Sequence, residues 1–405
     1  MSVKESTFDL GCPWLEEGLY IDTKTYKDFN DPVSGNLGVR SCCRIGQLPQ
    51  KFSLLQPRPG DLGHKYEQLQ VNRKDPSYNF ENLKDNACAR CHNDEQVHGE
   101  SVRTRIRRLK NTNLTTSGER KTRFLQFTFS NFCNLKCKYC GPGNSSSWND
   151  DVDISEGLFR VYMDKTETLS MEDRMLELIE KLDLSELKSV GIFGGEPFMA
   201  RKFPELMETI YKKANPGRIY FWLNTNGSIF PKPRIIEMLS EFAVADIRLS
   251  NESVGNLSEY IRNGLDWEQF DRNTDKWLEA SVGTGIDLKV HAAHNVWSVN
   301  KVEEFYNWVK SKGIVIHNSE TFQPLYSNVS AVLNKEQLKE CHDQLESMPD
   351  SSIKKYVQRM LSTDRMQGKH EDALKQFRNF VKIFDQRTPY TLKEVNPQLF
   401  DWTHG

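Results

Sequence analysis

The chain has 405 residues, 37% of them hydrophobic and 27% charged, and carries a formal net charge of -2. That length allows two or three domains with a sizeable core, and that charge supplies no overall basic field for nucleic acid. No apolar run approaches the ~18 residues of a membrane span, and the opening Met1-Ser2-Val3-Lys4-Glu5-Ser6 lacks the apolar core of a signal peptide. A cytoplasmic protein without membrane contact is expected, in which nine cysteines point to metal or catalysis before disulfides.

In chain order, residues 1–118 read as an irregular, cysteine-rich module. Stretches such as Gln56-Pro57-Arg58-Pro59-Gly60 offer little periodicity from which to build a core, so a bound metal is expected to substitute. Cys12, the adjacent Cys42 and Cys43, Cys88 and Cys91 supply five thiols. Cys12, one of the adjacent pair, Cys88 and Cys91 would complete a four-thiolate site for zinc or an iron–sulfur cluster. The basic run from Arg103 to Lys110 is either a solvated stretch or a contact for phosphates or an acidic peptide.

The pattern changes near residue 120. A strand over 123–129 leads straight into Cys133-Asn134-Leu135-Lys136-Cys137-Lys138-Tyr139-Cys140. Three thiolates on one loop suit three irons of a cubic cluster and leave the fourth iron open, as at a catalytic metal site. A zinc loop short of one ligand and three unrelated buried thiols are the plainer alternatives. Helical periodicity over 171–184, 202–213, 233–242, 267–279 and 300–312 alternates with strands over 189–193, 219–223, 245–249, 286–292 and 314–317. Six strands alternating with helices imply an α/β parallel sheet, open or a partial barrel, with chemistry at the carboxyl ends of the strands. The tail from residue 323 reads as helical and polar, with Cys341 a thiol on one of its helices.

Polar residues do fall after the strands. Gly194 and Gly195 let backbone approach a ligand closely, and Glu196 either accepts from an ammonium or is a solvated acid on a tight turn. Asn224 and Asn226 either bind hydroxyls or make an Asx turn before Gly227. Ser250-Asn251-Glu252 follows the fourth strand, His294 the fifth, and Glu320 lies near the end of the sixth. Tyr139 either stacks on a flat base or packs. Arg262 either clamps a carboxylate or lies on the surface.

A CxxxCxxC loop with Tyr139 before its last cysteine, followed one βα unit later by Gly194-Gly195-Glu196-Pro197, resembles the radical S-adenosylmethionine (SAM) enzymes over roughly residues 120–320. The resemblance implies a partial (β/α)6 TIM-like barrel over 119–322, between the cysteine-rich module and a helical C-terminal extension over 323–405. It implies that Cys133, Cys137 and Cys140 hold a 4Fe-4S cluster whose open iron chelates SAM. Tyr139 would lie against adenine, and Gly194, Gly195 and Glu196 would meet the methionine ammonium. Asn226, Ser250 and Arg262 would meet ribose or carboxylate. One departure stands out: Ser250-Asn251-Glu252-Ser253 replaces the Ser-Ile-Asp-Gly of many relatives.

The implied activity is reductive SAM cleavage to a 5′-deoxyadenosyl radical that abstracts hydrogen from a substrate. A low-potential donor such as flavodoxin or ferredoxin would supply the electron. Cys12-Pro13-Trp14, the Cys42-Cys43 pair and Cys88-Ala89-Arg90-Cys91 resemble the SPASM or twitch modules that carry an auxiliary 4Fe-4S cluster, though those modules usually follow the barrel. On that likeness the expected substrate is a peptide or protein, ahead of a sugar, nucleotide or other small metabolite. A zinc- or cluster-stabilised nucleic-acid-binding protein is the alternative of another class.

Overall fold

The computed structural model describes residues 18–22 and 38–40, parts of 69–98, and residues 122–151, 165–362 and 368–405. Its strands in chain order are β1 Gly18–Asp22, β2 Gly38–Arg40, β3 Phe124–Ser130, β4 Lys136–Cys137, β5 Ser189–Gly194, β6 Tyr220–Thr225, β7 Val244–Ser250, β8 Arg262–Asn263, β9 Ile286–His294 and β10 Val315–Glu320. Eight of them form one sheet in the order β10-β9-β7-β6-β5-β3-β1-β2. Each neighbouring pair from β10 to β3 is parallel. These six are the strands expected from the alternation, with helices between them. β10 and β2 are the edges and do not pair with each other, so the sheet is an open, partial barrel.

One expectation needs correction. Residues 1–118 are not wholly irregular: β1 pairs in parallel with β3, and β2 pairs antiparallel with β1. Five and three residues are too few to carry a readable alternation. What recruits them is the unpaired edge of β3, which offers main-chain groups to any extended neighbour.

The six central strands divide their side chains by period 2. Phe221, Leu223, Ile247, Leu249, Val290 and Ala292 are buried in one core with helix residues such as Met175, Leu206, Ile210, Met238, Phe270 and Trp277. Burying each such side chain stabilises by about 1.5–3 kcal/mol. The residues between them, including Trp222, Asn224, Arg248, Ser250, His291 and His317, are only half-buried and line the opposite, polar face. At Gly191 that face has no room for a side chain: a Cβ there would lie 2.3 Å from the Trp222 indole.

The extension is helical, as expected, through Lys335–Glu346, Ser352–Leu361, His370–Phe384 and Pro397–His404. Cys341 is buried within the first of these helices, a core thiol. Among the described residues no helix is long and apolar enough to cross a membrane.

Candidate active site

The cysteine loop leaves the carboxyl end of β3 and is tied down by its own neighbours. Ser145 Oγ donates to the Leu135 carbonyl at 2.6 Å, and Ser147 Oγ to the Cys133 carbonyl at 2.7 Å. Cys137 sits in a two-stranded ladder, β4 against β8, where it pairs with Arg262. The next amide, Lys138 N, donates to the Ile261 carbonyl at 2.9 Å.

The thiols are held where burial resists ionisation. Burial raises the Cys133 pKa to about 12. A hydrogen bond with Cys140, together with burial, raises that of Cys137 well above the usual range. Donors nevertheless point at the sulfurs. The Leu135 amide lies 3.5 Å from Cys133 Sγ, Asn226 Nδ2 lies 3.6 Å from it, and Arg262 Nη1 lies 3.8 Å from Cys137 Sγ. Such groups favour thiolate and tune a cluster held by it. Among the described residues no group of three or more His, Cys, Asp or Glu converges on a single metal ion. A cubic cluster makes a different demand, one thiolate for each of three irons, and an all-thiol loop with N–H donors around it fits that demand.

Packing by itself requires glycine at 194 and 195. Gly194 has φ +128°, and a Cβ on it would fall 2.2 Å from the Ser130 carbonyl oxygen. A Cβ on Gly195 would fall 2.2 Å from the Phe132 carbonyl oxygen. The turn therefore packs backbone to backbone against the entry to the cysteine loop, with Gly195 N donating to Ser130 O and Glu196 N to Phe132 O, both at 2.7 Å.

Glu196 is buried rather than solvated. Its carboxylate accepts from Thr225 Oγ1 at 2.8 Å, Asn226 N at 2.7 Å and Phe198 N at 3.2 Å. It thereby joins the β5 turn to the β6 loop. Burial raises its pKa to about 7 against those three hydrogen bonds. Asn226 does make the Asx turn, accepting from Ser228 N at 2.9 Å, while its amide bridges to Asn134 Oδ1 at 2.9 Å. Asn224 lies inside β6 instead, on the polar face, with its Oδ1 buried and without a partner among the described residues.

Arg262 is not on the surface. It is buried and pairs with the equally buried Glu252 at 2.6 Å. Tyr139 is half-buried, and its hydroxyl donates to the same Glu252 oxygen at 3.0 Å. The guanidinium carbon stands 5.5 Å from the Tyr139 ring centre. Among the described residues Glu252 Oε1 and Arg262 Nε have no partner. The altered loop after β7 thus delivers its acid into the site, beside Arg262 and Tyr139 of the cysteine motif.

Sequence reading missed the rest of the polar face. Register sets Ser250 beside His291, and His291 beside His317. His291 Nε2 lies 2.8 Å from Ser319 Oγ. Arg248 is fastened to buried Asp246 at 2.5 Å and lies over Trp222 at 5.2 Å. The only signal for these residues was polar positions alternating with apolar ones in β7 and β9.

Of the other expected ligands, Cys88 is half-buried just before the helix Ala89–His98, and Cys91 is buried in its first turn with Leu69 and Leu83 in the same core. Cys12, Cys42 and Cys43 lie outside the described residues.

The sequence model described as the Radical SAM superfamily matches residues 127–308. Curated relatives include the radical SAM cyclopropyl synthase TigE of Paramaledivibacter caminithermalis, 28% identical over 46% of this chain and 37% of that protein. They also include the GTP 3',8-cyclase of Psychromonas ingrahamii, 25% identical over 51% of this chain and 54% of that protein. The chain thus spans about half the length, or less, of these relatives. Among solved structures, Streptococcus suis SuiB bound to its precursor peptide SuiA is 13% identical, covering 72% of this chain and 52% of that one at a TM-score of 0.36. The matched segment begins in β3, runs through the cysteine loop and the Gly-Gly-Glu-Pro turn and ends in the helix before β10, so that over residues 127–308 this chain is similar to the radical SAM superfamily.

Proposed function

We propose that this protein is a radical SAM enzyme that cleaves SAM reductively and takes hydrogen from a peptide or protein substrate. The observation that carries the reading is the meeting of three carboxyl-end segments: the cysteine loop after β3, the Gly194–Glu196 turn packed on its entry, and Asn226 after β6 with its amide 3.6 Å from Cys133 Sγ. Cys133, Cys137 and Cys140 would hold the 4Fe-4S cluster. When bound, the cluster would pass an electron from an external donor to SAM and so supply the reductive cleavage of its sulfonium C–S bond.

The chain's own residues do the positioning. Glu196 holds the β5 and β6 loops together through three accepted hydrogen bonds. Tyr139, Gly194, Gly195, Asn226, Ser250 and Arg262 border the place left for SAM. Glu252 offers beside them a buried carboxylate oxygen that has no partner among the described residues. The half-buried polar face with Arg248, His291 and His317 is where a substrate would be met. The electron would come from a low-potential flavodoxin or ferredoxin.

The peptide reading rests on the likeness of Cys12, Cys42 or Cys43, Cys88 and Cys91 to an auxiliary-cluster module. The 25% identity to a GTP 3',8-cyclase favours the second reading, a nucleotide or another small metabolite.

Anaerobic purification and metal analysis test the cofactor claim. A brown protein with about eight irons per chain supports both clusters, and about four supports the loop cluster alone. A colourless protein carrying only zinc contradicts the proposal. Deuterium from labelled candidate peptides or nucleotides recovered in 5′-deoxyadenosine then names the substrate class.

A further inference from the structure

Lys138 lies between two of the loop cysteines, and its side chain points away from solvent. It is 0% exposed, and Nζ has no hydrogen-bond partner among the described residues. Its surroundings are aromatic: Nζ lies 3.5 Å from the Tyr260 ring centre, 3.6 Å from that of Phe384 and 5.6 Å from that of Phe380. A lysine amine enclosed in this way is costly to bury as the charged form, and ring faces at these distances return part of that cost. Phe380 and Phe384 belong to the helix His370–Phe384 of the C-terminal extension, which lies outside the matched family segment.

Other contacts reach the same loop from the same extension. Tyr326 Oη donates to the Lys138 carbonyl at 3.1 Å, and its ring stacks on Phe380 at 4.5 Å. Asp151 binds Lys136 Nζ at 2.5 Å through one oxygen and Arg387 Nη1 at 2.9 Å through the other. Asp385 accepts from Tyr260 Oη at 2.7 Å, which fixes one wall of the cage, and from Leu392 N at 3.1 Å. The loop is therefore gripped at Lys136 and Lys138, the residues on either side of Cys137.

We infer that the C-terminal extension is a working part of the cluster site, holding the cysteine loop in register by caging Lys138 and bridging Lys136, so that Lys138 and Arg387 are positioning residues. The inference rests on the assignment of Cys133, Cys137 and Cys140 to the cluster. A site with three protein ligands and one open iron lacks the fourth thiolate that would pin it, and a rigid support for the loop replaces that constraint.

Two variants test it in the full chain. Lys138→Met keeps the length and apolar packing of the side chain but removes the amine. Arg387→Gln cuts the outer bridge at a partly exposed position, where folding is not at stake. Hydrogen exchange of peptides covering 131–140 is followed in the metal-free protein, and the EPR spectrum of the reduced cluster in the reconstituted protein. The expected result is exchange about tenfold faster over 131–140, the effect of losing one charged contact. β6, β7 and the Tm stay as in the wild type, and the EPR line shape alters. Unchanged exchange over 131–140 in both variants overturns the inference, and so does a rise spread evenly over the chain with a lower Tm. A wild type that takes up no iron at the loop defeats the cluster assignment instead, while exchange in the metal-free protein still decides whether the extension grips the loop.

Discussion

Two buried titrating residues near the site pull stability in opposite directions. His294 is fully buried, with Nε2 2.9 Å from Asn318 Oδ1, and burial lowers its pKa from 6.5 to about 4. The folded chain resists its protonation, so stability is lost as pH falls from about 6.5 to about 4, by about 3 kcal/mol in full. His291, lowered to about 3 by burial and by neighbouring His317, Arg248 and Arg262, adds to that loss. Glu196 does the reverse. With its pKa raised from 4.5 to about 7, it favours the folded state least once ionised. It removes about 3 kcal/mol as pH rises from about 4.5 to about 7. Urea midpoints measured between pH 4 and 7 should therefore rise less steeply with pH in His294→Gln than in the wild type, and more steeply in Glu196→Gln. Parallel curves for wild type and both variants would show that neither residue is buried as described.

At the scale of elements, the Gly194–Glu196 turn is a joint between β5 and the cysteine loop. Gly195→Ala forces a Cβ into the Phe132 carbonyl and should cost about 3 kcal/mol. Thermal unfolding reads that loss, and cluster loading should fall with it. Gly313→Ala, where no atom lies within 4 Å of the added Cβ but φ is +68°, should cost only about 1 kcal/mol and leave loading intact.

The same joint shows what a linear reading reaches. The cysteine loop and the glycine turn were legible because each packs its chemistry into consecutive residues. The six strands were legible because their alternation with helices is long. Arg248, His291 and His317 were not, since each is one polar residue in a separate strand and only register unites them. Lys138 carried no signal in the sequence, because the rings that cage it come from residues 260, 380 and 384. β1 and β2 escaped notice because pairing with β3, not side-chain pattern, makes them strands. Arg262 was placed near the site, but its partner Glu252 lies in a loop that departs from the common pattern.

On the scale of the whole molecule, the partial barrel gathers the cysteine loop, Glu196, Asn226, Glu252 and Arg262 at one end of a parallel sheet, as expected for α/β folds. The extension closes on that end through Tyr326, Phe384 and Arg387. The amino-terminal segment adds β1 and β2 beyond β3, at the edge of the sheet away from β10. If that segment also carries a cluster, Cys88→Ala should lower iron content from about eight to about four per chain while leaving SAM cleavage in place. Equal iron in wild type and variant would remove the second cluster.

The central claim is that Cys133, Cys137 and Cys140 hold a cluster that cleaves SAM. The direct test is release of 5′-deoxyadenosine by the anaerobically reconstituted full chain with SAM and dithionite, beside Cys137→Ala treated in the same way. The wild type should release it steadily and the variant at less than about one part in a thousand of that rate. Equal release by the variant, or none by a wild type shown to carry iron and sulfide, would contradict the account.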